Sequence, residues 1–130
     1  MHIEPWVDPV VEGLGHPTES LYCETFWLPV LGPTAMWLTR MLARDLETNP
    51  GGFDTDAASI AARLGISWST TKPSTLSRAL ARCEMFGACR ISADGSTIAV
   101  RRALAPLPRR HLARMPAILR DHHDAWSTRR

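Results

Sequence analysis

Asp54-Thr55-Asp56-Ala57-Ala58-Ser59-Ile60-Ala61-Ala62-Arg63-Leu64-Gly65 opens the stretch that decides the fold. Ala57, Ile60, Ala61 and Leu64 recur three and four residues apart behind two acids, so the spacing predicts a helix with one apolar face. Gly65 is its stop, because glycine takes positive φ at a helix end, and Ile66 is placed to plug the core. A polar, Pro-interrupted segment from Ser67 to Pro73 follows. Ser74 to Phe86 then reads as a second helix closed by Gly87, with Leu76, Ala79, Leu80, Cys83 and Phe86 facing inward. Two short alternating segments come next, joined by Asp94-Gly95. With that pair as a two-residue type I′ turn, Ile91 faces Ile98 and Cys89 faces Val100, which makes those four the buried face. Arg90, Ser92, Thr97 and Arg101 then project from the other face, with Arg102 at the strand end.

Helix, turn, helix and hairpin in this order, with Leu64-Gly65-Ile66-Ser67 at the turn, resemble the winged helix-turn-helix superfamily of bacterial regulators. More loosely, the chain is similar to a set of small actinobacterial proteins predicted to bind DNA. The resemblance covers about half the chain. It implies a mostly helical α+β domain with a two-stranded β-hairpin wing and additional N- and C-terminal helices. It also implies a second helix that meets double-stranded DNA. On that helix Ser74, Thr75, Ser77, Arg78, Ala81 and Arg82 face outward, and arginine can hold guanine O6 and N7 with two hydrogen bonds. Arg90, Arg101 and Arg102 would touch the DNA backbone from the wing.

One departure stands out. In the family the Ser/Thr-rich start of the second helix follows the glycine by four or five residues, whereas Ser74-Thr75 lies nine or ten after Gly65. The added turn carries Ser69, Thr70, Thr71 and Lys72, hydroxyls and a cation of the kind that clamp phosphate, and Trp68 is the one tryptophan placed to stack on a base.

Charge along the chain is uneven. Residues 1–62 hold two basic and nine acidic side chains; residues 63–130 hold thirteen basic and four acidic, within an overall net charge of +2. That split points to a basic face for phosphate opposite an acidic end. No apolar run approaches the roughly 18 residues that span a bilayer, and no charged-then-apolar leader is seen. Cys23, Cys83 and Cys89 read as reduced, buried thiols of a cytosolic protein, nucleoid-associated if it binds DNA.

Around the central stretch, residues 1–18 are rich in Pro and Gly and read as an irregular segment. Residues 19–102 form the winged domain. Within them a short helix ends before Pro29 and an amphipathic helix with Thr34 as N-cap covers 34–47, while the resemblance to winged domains implies a minimal strand starting at Phe53. Residues 103–130 form a helical extension: a short helix, a break, then a helix over about 116–126, with Leu112, Met115, Ile118, Leu119 and Trp126 as its packing stripe. Trp27, Trp37 and Trp126 are assigned to the core and His122-His123 to a helix surface. No phosphate-cradling glycine loop, nucleophile elbow or carboxylate pair argues for an enzyme, the Cys and His spacings match no common zinc site, and no cofactor is expected. The expected function is therefore sequence-selective DNA binding by a transcriptional regulator. The alternative is a winged-helix module that binds protein, with the N- or C-terminal helices offering a homodimer or partner surface.

Overall fold

The computed structural model describes residues 1–128 and shows an α+β chain. In order, its elements are β1 (His2–Pro5), α1 (Pro9–Leu14), β2 (His16–Pro17), a π-helical turn (Cys23–Trp27) running into α2 (Leu28–Leu31), α3 (Pro33–Thr48) and β3 (Phe53–Asp54). Then come α4 (Ala57–Leu64), α5 (Thr75–Met85), β4 (Cys89–Ile91), β5 (Thr97–Val100), β6 (Ala103–Leu104), α6 (Arg109–Leu112) and α7 (Ala117–Thr128).

The two helices of the central stretch form for local reasons. Asp56 is extended and its carboxylate accepts from the Ser59 N–H at 2.7 Å, capping α4. Gly65 ends that helix in the left-handed region at φ 68°. Ser74 caps α5 through a reciprocal pair: its hydroxyl accepts from the Ser77 N–H, and the Ser77 hydroxyl accepts from the Ser74 N–H. Both helices and α3 turn apolar faces to one core, in which Met36, Leu38, Leu42 and Leu46 of α3 meet Ile60, Leu76, Ile98 and Val100.

Under these helices lies a four-stranded sheet in the order β3-β1-β5-β4. The hairpin register is Cys89↔Val100, Arg90↔Ala99 and Ile91↔Ile98, as the alternation predicts. Its turn is wider than expected. Gly95 N–H donates to the Ser92 carbonyl, and Gly95 is the one residue between the strands with positive φ, whereas a type I′ turn needs two. Asp94 is the cause, since its carboxylate accepts from Ser92 Oγ and from Ser96 N and Oγ, which holds a rounder loop. The register survives because both turns centre on the same peptide.

Residues 1–18 are not irregular. β1 is inserted between β3 and β5, antiparallel to the first and parallel to the second, with Ile3 fully buried. β2 pairs with β6, so the 103–130 extension begins inside a second small sheet shared with the N-terminal segment. Gly15 is needed for that approach, because a Cβ there would lie 2.5 Å from the Leu104 carbonyl oxygen. Proline-rich composition misled here: Pro5 and Pro17 end short strands, and Pro9 opens α1 under the Asp8 cap.

Further corrections follow from packing. Pro29 does not end the preceding helix. The Leu28 N–H reaches back to the Cys23 carbonyl, and this widened turn relieves the clash a proline makes in a regular helix. α3 begins at Pro33 with Gly32 as its cap, so Thr34 is not the N-cap. Trp27 is buried, with its indole N–H on the Ala105 carbonyl at 2.8 Å, but Trp37 is 56% exposed.

The C-terminal segment folds as helix, break and helix. Met115 is buried and Leu119 and Trp126 are half-buried, while Ile118 points to solvent. His123 is not plain surface: the Tyr22 hydroxyl accepts from the Leu107 N–H at 2.9 Å and shares a hydrogen bond with His123 Nε2 at 2.7 Å. That bond, with edge-on contacts from Phe26 to His122, His123 and Trp126, seats α7 on the π-helical turn.

Candidate nucleic-acid interface

Folding consumes part of the charge split of the sequence. Asp8 pairs with Arg101, Glu12 with Arg102 and Asp45 with Arg63, each joining the acidic half of the chain to the basic half. The two halves are therefore not opposite faces. What matters for an anionic partner is which cations remain unpaired.

Arg101 is not one of them, contrary to the wing assignment. Its side chain is 15% exposed, Nε donates to the Gly87 carbonyl at 2.7 Å, Nη1 to Asp8 at 3.0 Å, and the guanidinium lies 3.7 Å from the Trp6 ring centroid. Arg102 is held by Glu12 at 2.6 Å. Arg90 remains exposed and rests over the same Trp6 ring, 4.6 Å from its centroid. At the tip of the hairpin the charged group is a carboxylate: Asp94, pulled down to about 2 by the Ser96 N–H and the two serine hydroxyls. The hairpin thus offers one free arginine where three were expected.

The start of α5 also differs from expectation. Ser74 is 6% exposed and spends its hydroxyl on the cap, as does Ser77. The Thr75 N–H donates to Ser67 Oγ and the Leu76 N–H to the Ser67 carbonyl, while Ser67 Oγ donates to Thr75 Oγ1. These donors are satisfied internally, so the helix N-terminus is closed to phosphate. The long turn explains why: it loops back until Ser67 lies against the first turn of α5. Ser69 and Thr71 bond to each other in that loop, and Ser69 accepts the Thr71 N–H; Thr70 and Lys72 are exposed.

The open cations lie further along. Arg78 is exposed on α5 and makes no hydrogen bond or ion pair with another described residue. Arg82, one turn on, is exposed with Nη2 on the Val30 carbonyl at 2.7 Å and its guanidinium over Phe86. Between them Ala81 is small and exposed, and the one acid of this helix, Glu84, accepts the Ile91 N–H of β4 at 3.0 Å. The cationic row continues onto α6, a feature the sequence reading did not assign. Arg82 and Arg114 line one groove, and Arg110 and His111 another beside Phe86 and Gly87. The His111 imidazole is pushed below its ordinary value by burial first, then by the charges of Arg110 and Arg114. The available signal was the cluster Arg109, Arg110, His111 and Arg114 just after two prolines. Nothing local said that α6 would lie against the end of α5.

No protein-family model matches the chain, and no curated protein or solved structure is significantly similar to it. Among the described residues no helix is long and apolar enough to cross a membrane.

Proposed function

We propose that this chain is a winged helix-turn-helix domain that binds double-stranded DNA through the solvent face of α5, as a sequence-selective regulator. The carrying observation is Arg78, exposed and unpaired among the described residues on a helix whose outer face shows Ala81 and Arg82. A small residue between two arginines lets the helix approach a groove while both guanidiniums reach base edges or phosphates. Supporting it is the element order α3, β3, α4, α5 and hairpin, with α4 and α5 joined by the Gly65 turn. Arg90, Arg110, Arg114 and Lys72 would supply backbone contacts, and binding would weaken steeply with salt.

The test is fluorescence anisotropy with genomic DNA fragments at low salt, followed by recovery of bound fragments. Wild-type protein binds, and Arg78→Ala with Arg110→Ala abolishes binding while circular dichroism stays unchanged. Absence of any salt-dependent binding by the wild type rejects the reading.

One observation favours the rival, a protein-binding module. Trp37 stands 56% exposed at an open groove of about 380 Å³ lined by Pro33, Leu64 and Ile66. Exposed tryptophans beside apolar grooves are common anchors of protein interfaces. A partner or second copy bound by the wild type and lost on Trp37→Ala, without DNA binding, would select that reading.

A further inference from the structure

Between α2, the C-terminal half of α5 and α6 runs an open groove of about 240 Å³. It exceeds the ~150 Å³ void that accommodates benzene. Pro29 and Met115 give it aliphatic walls, Phe86 an aromatic one, and Arg82, His111 and Arg114 its polar heads. No Asp or Glu is among the described residues lining it. Its cations are only partly spent within the chain, the Arg82 guanidinium lying over the Phe86 ring, 5.2 Å from its centroid. Arg114 makes no hydrogen bond or ion pair with another described residue, and Arg82 donates Nη2 to the Val30 carbonyl, leaving most of its five donors open. The neighbouring charges of Arg110 and Arg114 already oppose protonation of His111, so a standing positive field acts at this place.

We infer that this groove is a binding site for a small aromatic carboxylate, held by Arg82 and Arg114 at its charged end and packed on Phe86 and Pro29 at its ring. The chemistry selects both halves of that ligand. A bare inorganic anion would satisfy the guanidiniums and leave the apolar walls wet. A neutral hydrocarbon would cover the walls and strip water from two cations without pairing them. The volume admits one or two fused rings. If α5 is the DNA-binding helix, Arg82 is shared by both ligands and an aromatic acid displaces phosphate from it; that consequence rests on the proposed function, whereas binding itself does not.

Titration of the full chain with 2-naphthoate, followed by NMR, tests the site, with 2-naphthalenemethanol and inorganic phosphate as controls. The expected result is saturable shifts at Phe86, His111 and Met115, with naphthoate binding about tenfold or more tightly than the alcohol. Phosphate leaves Phe86 unmoved. Arg114→Gln, a change at an exposed side chain, keeps the spectrum elsewhere and lowers naphthoate affinity about tenfold. The inference is overturned if naphthoate moves none of these resonances up to about 5 mM, where even a weak specific site fills. It is equally overturned if the alcohol or phosphate binds as well, or if Arg114→Gln binds like the wild type. No DNA is present in this titration, so its failure and a failure of the DNA reading are separate results.

Discussion

Arg101 reaches back to Asp8 across 93 residues of sequence, Nη1 to carboxylate at 3.0 Å, while the same guanidinium covers Trp6 and closes on the Gly87 carbonyl. Asp8 also caps α1, so one side chain ties the N-terminal segment to the hairpin and to the end of α5. Arg101→Met removes the guanidinium from Trp6 and Asp8 and leaves the Gly87 carbonyl without its donor. It should cost about 1–2 kcal/mol in urea unfolding. If α5 is the DNA-binding face, the folded variant should bind DNA with the wild-type salt dependence, because Arg101 is spent on Asp8 and Gly87.

The same pair gives a pH signature. Arg101 first, and the Val11 N–H second, hold the Asp8 carboxyl below its ordinary value of 3.8. An acid stabilised in its ionised form supports the fold above 3.8, and that support fades as pH falls below it. Asp8→Asn should flatten this part of the acid-unfolding curve, and an unchanged curve would count against the pairing.

Ser74→Ala removes a buried cap and should destabilise the domain by about 1 kcal/mol. Thr70→Ala, in the exposed loop, should change stability by less than about 0.5 kcal/mol. Thermal melts of the two variants side by side separate the serine that folds the helix from the hydroxyls that merely precede it.

Much of this architecture was legible in the sequence, and the reasons are local. Ile91 facing Ile98 and the Gly65 stop follow from period-two alternation and turn chemistry inside short windows, while the strand at Phe53 follows from the resemblance to winged domains. What escaped depends on distant partners. Residues 2–5 show no alternation strong enough to announce a strand, because β1 is defined by its two neighbours in the sheet. The site misled for the same reason. Arg101 and Arg102 look like free wing cations until Asp8 and Glu12 arrive, and Ser74 looks like a groove contact until Ser77 claims it.

His123 makes the seating of α7 sensitive to acid. Burial lowers the His123 pKa below 6.5, partly offset by Asp124, and its Nε2 lies within hydrogen-bond distance of the Tyr22 hydroxyl. In the unfolded or undocked chain the imidazole takes a proton first, so docking is fully supported above 6.5 and weakens as pH falls from there towards the lowered value. Burial of His111 acts in the same direction. The protection factors of the α7 amides, which remove the intrinsic pH dependence of exchange, should fall below about pH 6.5, and Tyr22→Phe should lower them already at neutral pH. Protection factors that stay constant over pH 5–8 would contradict this account.

The two classes of arginine should separate in DNA binding. Arg78→Ala should lower the slope of log affinity against log salt by about 1, and Arg102→Gln should leave it unchanged. Equal losses from both would move the interface to the hairpin.

The parallel pairing of β1 with β5 sets the order in which this chain can assemble. Residue 2 lies beside residue 97, so the strand that leaves the ribosome early has no place until the hairpin is made. Closing so long a loop is entropically costly, and contacts of this span slow folding. The helices α3 to α5 and the hairpin rest on shorter-range contacts, so they are expected to form before β1 fills the slot between β3 and β5. The N-terminal strand is thus a late clasp: until it closes, the facing edges of β3 and β5 are open to any other extended segment within reach.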